Sequence, residues 1–558
     1  MRFILLALGG CFFGALASAA TQTEPSSVSL GVTLPVIAAD GTTTLVATLK
    51  NANGTVFTDR SLPVSFTSTC ASLGTSFLDS TVNSVDGIAA AIYQPKGCSL
   101  TDTITVAVST APLTLKADVV LQISSSKALS SKATLGMAMF YDKALSAGGN
   151  LACASCHSPA ANFLAPNQLT VPLGGVSGVI SGFRTAPSAA YASIIPPFAF
   201  LTQTNQAGTA NNGANGKLGT PRRGLMWDGR ASTVFDQAKG PFTGVHEMAN
   251  ANSAVVLSKL LSRPYVVNYR SVYGALSATT NADTVLTNMA NAIGQYETEE
   301  KDFVAFNSKF DAVQKGFASF TVQEANGQNL FFAAEKAACA GCHNSDSNLK
   351  TVQGPQLFTD LSYRVLAVPR NWKIPYNNDS TALIDLQKIG MTSLLNGAAL
   401  GAPNHKYYDL GVCGPFRTDS LGDAKLCGAF RVPGLRNVAL KGSYEHNGVF
   451  GSLSQVINFY LNRDIAPQTI YKKADGTADI AYNDLPLMYQ SNIEIRPPFV
   501  PPKPLAPASR IGTAASQARL SPSEIQDLIA FLCTLTDGFD PQNPEAYRLP
   551  AQCRAAIR

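Results

Sequence analysis

The feature that most constrains this 558-residue chain is a pattern that occurs twice. Cys153, Cys156 and His157 stand as C-x-x-C-H in the run LACASCHSP, and Cys339, Cys342 and His343 repeat it in AACAGCHNS. Two thiols about one helical turn apart reach the two vinyl groups of one porphyrin, and the imidazole that follows is placed to ligate its iron. A redox-active disulfide or half of a zinc site also uses a C-x-x-C pair, but neither explains a histidine directly after both pairs. The pattern points to two covalently bound haem c groups, around which the chain must wrap.

The chain is too long for one ordinary core, so two to four domains are expected. A net charge of +5 over this length, with no Lys/Arg cluster, is no nucleic-acid signature. Arg2, the apolar run Phe3 to Leu16 and the A-x-A triplet Ala17-Ser18-Ala19 read as an export signal cleaved near Ala19/Ala20. Leu8-Gly9-Gly10-Cys11 faintly resembles a lipoprotein box, but the apolar run before it is short. No later stretch is long and uncharged enough for a transmembrane segment, so a soluble exported protein is expected, periplasmic where the cell has two membranes. Of 11 cysteines, Cys11 leaves with the signal and the haem motifs take four. Cys70, Cys98, Cys413, Cys427, Cys533 and Cys553 remain, an even set that suggests disulfides in an oxidising compartment. Sequence proximity favours 70–98, 413–427 and 533–553 among the fifteen possible connectivities.

Residues 25–122 differ from everything after them. Val28 to Leu34, Thr44 to Leu49, Val64 to Thr69 and Thr103 to Val108 are short, β-branched and alternating, with turns at Asn53-Gly54 and Asp86-Gly87. About seven strands in a hundred residues read as an all-β immunoglobulin-like sandwich, and the segment resembles the bacterial Ig-like domains of exported proteins. Residues 123–133 read as a Ser/Lys-rich linker. Helices and long loops follow. Asn291 to Lys315 has helical periodicity. A helix starting at Ser521 carries a capping box with Glu524, Pro522 at its first position and an apolar stripe of Ile525, Leu528, Ile529 and Leu532. Residues 463–515, rich in Pro and Tyr, read as an insertion or wrapping arm.

From about 130 to 540 the chain resembles the bacterial dihaem cytochrome c peroxidase family, which includes the MauG-type oxidases. The blocks that carry this are LGMAMFYDKALS, CASCHSP, FRTAPS, MWDGRAS, DQAKGP, HEM, FNSKFD, CAGCH, FRVPGLRNVAL and YEHNG, in the family's order. The resemblance implies two mainly α cytochrome c-like domains, over 134–320 and 321–558. His157 would be the proximal ligand of a haem that meets hydrogen peroxide, and His343 that of an electron-relay haem. Glu247 takes the position of the distal acid–base group and Gln237 that of a distal amide, while His246 reads as incidental. Trp227 is expected between the haems as a relay, and Arg184 and Arg230 are expected to meet haem propionates.

Two departures from the commoner peroxidase pattern bear on the subtype. Many relatives place a capping histidine on the loop after the first motif, yet the five histidines here are His157, His246, His343, His405 and His446, and none lies between 158 and 183. The reactive haem is therefore expected to be open without prior reduction, as in MauG. The distal ligand of the relay haem is usually Met; the matching position here is Tyr460, as in MauG-type proteins. The family's calcium site lies between the haems. Here Thr185 replaces its usual Asn, and Lys441 and Ser443 occupy its two carbonyl-giving positions, where a lysine ammonium competes with the ion.

The expected function is a periplasmic peroxidase that takes electrons from a small cytochrome c or cupredoxin. Two other readings remain open at this point. One is a MauG-type oxidase that modifies side chains of a protein substrate, and the other is a non-catalytic dihaem electron carrier.

Overall fold

The computed structural model of the chain describes residues 24–556 except 33–35, 39–40, 73–75, 96–99, 111–112, 125–128, 167–168, 202–219, 345–355, 379–399, 402–405, 420–422, 500–519, 545–546 and 548–549. The export signal, Cys98, His405 and the end of the Pro-rich segment fall outside the described residues. The chain forms two compact units, residues 1–126 and 127–558.

Among its described residues the first unit has nine strands: β1 (Ser27–Val32), β2 (Val36–Ala38), β3 (Thr43–Lys50), β4 (Pro63–Ser68), β5 (Ser76–Leu78), β6 (Thr81–Asn83), β7 (Ile88–Pro95), β8 (Leu100–Thr110) and β9 (Leu113–Ser124). One sheet runs β1-β3-β7-β5 and the other β2-β9-β8-β4-β6. All pairs are antiparallel except β2 with β9. The alternation expected of half-buried strands is clearest in β4, where Val64 and Phe66 point inward while Ser65 and Thr67 face solvent. Leu45, Ala47 and Leu49 of β3, Ala91 and Tyr93 of β7, and Ile104, Val106 and Val108 of β8 meet in the same core. Asp86 and Gly87 have φ of 48° and 74° between the bridged residues Val85 and Ile88, the two positive values that a two-residue primed turn requires. At Gly87 any Cβ would lie 2.1 Å from the Phe57 carbonyl, so glycine is required there twice over.

The second unit repeats one arrangement. In its first half, helix α1 (Ser131–Phe140) crosses helix α2 (Ala282–Glu299), and the C-x-x-C-H motif lies between them in sequence. The helices touch at Gly136, where a Cβ would stand 1.8 Å from the Ala292 carbonyl. The Ser130 side chain caps α1 by accepting from Ala133 N–H, while its own N–H and hydroxyl both donate to Glu299 at 2.8 Å. In the second half, α3 (Val322–Phe332) crosses the last long helix, α5 (Pro522–Cys533), at Gly327, where a Cβ would stand 1.9 Å from the Asp527 carbonyl. The Ser521–Glu524 capping box and Pro522 start α5 as the sequence indicates. Helix α4 (Leu453–Asn462) lies between α3 and α5 in sequence.

Each half also has its own aromatic core. Phe140, Phe163, Tyr296 and Phe303 form one, with Phe163 and Phe303 stacked at 3.7 Å. Phe310, Phe331, Phe358 and Phe531 form the other. One expectation is corrected. The periodic stretch read as 291–315 is two helices, α2 and a short one at Lys309–Gln314, broken at Glu300, whose φ/ψ of −72°/118° is extended. Helix α5 packs on α3, the helix before the second haem motif; that motif itself forms only a 3-10 turn, Cys339–Gly341. Residues 463–499 pack on the second half, with Tyr471, Tyr482, Leu485, Ile493 and Phe499 in its core.

Disulfides join Cys413 to Cys427 and Cys533 to Cys553. Cys70 is also disulfide-bonded. Its short helix, Thr69–Ser72, is tied to the end of β4 by the buried Asp102, which accepts from Ser68 Oγ at 2.6 Å and Cys70 N–H at 3.1 Å. No helix among the described residues is long and apolar enough to cross a membrane.

Candidate active site

Cys153 to Cys156 form a single helical turn, and His157 caps it with its N–H on the Cys153 carbonyl at 2.9 Å. Both cysteines and His157 line a cavity with an empty volume of about 1410 Å³. The four motif cysteines are unpaired. Burial raises all four thiols above their ordinary range, Cys156 to about 11. A dithiol oxidoreductase needs the opposite shift, so this environment suits covalent attachment rather than thiolate redox chemistry.

His157 Nδ1 lies 3.4 Å from the Phe163 carbonyl, and His343 Nδ1 lies 3.0 Å from the Phe358 carbonyl. Each ring is thereby oriented, His343 also through the Pro433 backbone, and burial lowers both imidazole pKa values, which keeps them neutral as metal ligation requires. Both phenylalanines have φ of 57°. Positive φ is uncommon for a bulky residue, and here it turns the carbonyl back onto the histidine in each half. These orienting carbonyls have no signal in sequence, because any residue type can supply one. The unpaired thiols, the neutral oriented histidines and the cavity fit a haem at the first motif. The second motif has the same thiols and the same histidine restraint.

The walls of the large cavity bring Gln237 and Glu247 together with the first motif. Gln237 ends the short helix Val234–Gln237, which Thr233 and Asp236 start with a capping box. Glu247 sits in a tight turn, its N–H on the Gly244 carbonyl at 2.9 Å. A Cβ at Gly244 would fall 2.0 Å from Glu247 Oε2, so only glycine leaves the carboxylate its place. The two-residue strands Leu173–Gly174 and Ile180–Ser181 press a hairpin on this turn. Gly175 N–H donates to the Glu247 carbonyl at 2.9 Å, and a Cβ at Gly174 would meet the His246 carbonyl at 1.9 Å. The loop without a histidine thus gives the site backbone support, and its Pro172 and Leu173 line the cavity.

Two cavity residues were missed in sequence. His246, which read as incidental, lines the cavity edge-on to Phe183 and Phe416, and its buried Nδ1 has no hydrogen-bond partner among the described residues. Glu297 of α2 is 5% exposed, lines the same cavity and makes no hydrogen bond or ion pair among the described residues; burial pushes its pKa up to about 8. Its place on a periodic helix made it look like one more polar residue.

Trp227 is buried, and its indole N–H donates to the Thr185 carbonyl at 2.9 Å. It lines both the large cavity and a second one of about 640 Å³ empty volume, with Arg431 on the same shared wall. Arg184 lines the large cavity but is committed to protein carboxylates. Nε and Nη2 donate to Asp409 at 2.6 and 2.7 Å, and Nη1 donates to Asp228 at 2.8 Å. Arg230 Nη1 donates to both oxygens of Asp228. Burial alone would raise the Asp228 pKa, but these two guanidinium groups hold it below the usual carboxylate range. Both arginines thus hold protein carboxylates while they line the cavity wall.

On the other side, Tyr460 of α4 donates its hydroxyl to Glu445 Oε1 at 3.3 Å and stacks on Phe499. Burial, Glu445 and the nearby thiols of Cys342 and Cys339 all raise its pKa, which places the phenol beside the second motif. At the expected calcium position, the Thr185 carbonyl is occupied by the Trp227 N–H, and the Thr185 hydroxyl donates to the Glu445 carbonyl at 3.0 Å. Lys441 stands with its ammonium 5.7 Å from the Trp227 ring centroid. No metal-holding group of His, Cys, Asp or Glu occurs among the described residues.

Two similar helical halves, two C-x-x-C-H motifs and an acid-lined cavity at the first of them define a dihaem c-type oxidoreductase. Residues 130–319 match the family model described as di-haem cytochrome c peroxidase. The chain is 28% identical over 410 residues to the methylamine utilization protein MauG of Paracoccus denitrificans, covering 73% of this chain and 88% of that protein. It is 27% identical over 214 residues to the cytochrome c peroxidase Ccp of Escherichia coli, covering 38% of this chain and 37% of that protein. Among solved structures it is similar to the diheme peroxidase BthA of Burkholderia thailandensis, with 29% identity and a TM-score of 0.56, covering 74% of this chain and 88% of that one. A variant of BthA in which a tyrosine is replaced by methionine gives a TM-score of 0.58. These similarities support the dihaem cytochrome c peroxidase and MauG family and, with it, a peroxidase-class oxidoreductase.

Proposed function

We propose that this protein is an exported, periplasmic dihaem peroxidase that reduces hydrogen peroxide with electrons from a small cytochrome c or cupredoxin. One haem is held by Cys153, Cys156 and His157, and the other by Cys339, Cys342 and His343. The observation that carries this reading is the cavity that joins Glu247 and Gln237 to the first motif. When bound there, haem supplies the iron at which the O–O bond is broken. Glu247 takes a proton from one peroxide oxygen and returns it to the other, the work of a positioned acid–base group. Gln237 orients peroxide through its amide. Trp227, on the wall between the two cavities, carries electrons from the second half to the first. Residues 25–122 are read as an immunoglobulin-like sandwich that spaces or docks the peroxidase, 134–320 as the peroxidatic domain and 321–558 as the relay domain.

Tyr460 favours a second reading. Its place beside Cys339 and Cys342 suits ligation of the relay iron, as in MauG-type oxidases whose substrate is a side chain of a partner protein. The test is steady-state peroxide turnover with a reduced small cytochrome c. Glu247→Gln should lower kcat roughly a hundred- to ten-thousand-fold. Turnover unchanged in that variant would contradict the assignment, and no turnover with any small donor would favour the protein-modifying reading.

A further inference from the structure

We propose that Arg431 and Lys441 form a carboxylate-binding site on the wall between the two cavities, and that its ligand is a haem propionate. The proposal rests on the dihaem reading above.

Arg431 is 8% exposed and lines both cavities. Its strand, Phe430–Arg431, pairs with Tyr363–Arg364, and its backbone N–H donates to the Trp227 carbonyl at 2.8 Å. The side chain turns back along the same segment, with Nε donating to the Met226 carbonyl at 3.2 Å. Nη1 is buried and has no partner among the described residues. Lys441 follows the 3-10 turn Val438–Leu440 and lines the second cavity with Arg431 and Trp227. It makes no hydrogen bond and no ion pair among the described residues. Glu445 attracts it electrostatically, and burial pulls its pKa down to about 8.

Buried cations are ordinarily paired, because an uncompensated one costs several kcal/mol. The other cations around these cavities obey the rule. Arg184 and Arg230 hold Asp228 and Asp409, and Arg436, which also lines the second cavity, holds Asp311 through both terminal nitrogens. Arg431 and Lys441 are the exceptions, and both border Trp227. What they lack, among the described residues, is a hydrogen-bonded acceptor carrying negative charge, which a group entering from a cavity brings. A propionate supplies that, and a guanidinium donor is suited to a carboxylate oxygen. Arg431 borders both cavities, so either haem could provide the group; the carboxylate chemistry is the same.

The test uses the holoprotein and spectroelectrochemical titration of each haem, with haem content measured first. Arg431→Gln and Lys441→Met should keep two haems per chain. In each variant the reduction equilibrium of one haem should move about tenfold toward the oxidised form, 59 mV for a one-electron couple. Loss of a cation beside a propionate leaves negative charge that favours the ferric state, which fixes the sign. Lys441→Arg should restore the wild-type potential, whereas a packing role would not depend on charge. The haem whose potential moves identifies the source of the carboxylate. Two haems with both potentials unmoved in Lys441→Met overturns the proposal, even if Arg431→Gln fails to fold. Fewer than two haems in the wild-type protein overturns the dihaem reading itself, and this inference with it.

Discussion

Glu297 offers a quantitative test of how the reactive cavity is built. Its carboxyl group has no partner among the described residues and lies almost wholly out of water, so the folded protein holds it protonated to about pH 8, against an ordinary value of 4.5. The unfolded chain releases that proton much earlier. Stability must therefore fall as pH rises from about 4.5 to about 8 and then level off. At about 1.36 kcal/mol per pKa unit, this one group costs roughly 3 kcal/mol at pH 7 but under about 1 kcal/mol at pH 5. Glu297→Gln keeps the shape and removes the ionisation. Denaturant titrations of the holoprotein, read from the haem absorbance, should show the variant gaining about 2–3 kcal/mol relative to wild type between pH 5 and pH 7. Any fixed packing cost of the amide cancels in that difference. An offset between the two proteins that does not change with pH would refute the argument.

Three further outcomes follow from named contacts. Tyr460→Phe should change the visible spectrum and potential of the relay haem, and an unchanged spectrum would refute ligation by Tyr460. Gly136→Ala should destabilise the first half by about 1–3 kcal/mol or more, because its Cβ meets the Ala292 carbonyl at 1.8 Å; thermal unfolding measures it. Asp311→Ala should cost about 3–5 kcal/mol in denaturant unfolding, because it strands the buried guanidinium of Arg436.

Much of this molecule was legible in its residues, and the rest was hidden for identifiable reasons. The alternation in β4 and the Asp86-Gly87 turn are local signals, and local geometry enforced them. The capping box of α5 is equally local, and the 413–427 and 533–553 disulfides join near neighbours. The break at Glu300 was hidden because an apolar period continues across it into the next short helix. The Phe163 and Phe358 carbonyls were hidden because a backbone conformation, not a side chain, does the orienting. The pair Arg184–Asp409 spans 225 residues, so no spacing rule could have shown that this arginine holds a protein carboxylate. The same holds in reverse for Arg431 and Lys441, whose lack of partners appears only once the fold closes around them.

The central claim is that the haem at His157 meets peroxide through an open face served by Glu247. Stopped-flow spectroscopy of the fully oxidised protein mixed with hydrogen peroxide tests it directly. The account predicts a spectral change on mixing, before any reductant is added, and a much slower change in Glu247→Gln. A lag cured only by half-reduction, or two haems that stay silent to peroxide, would contradict it.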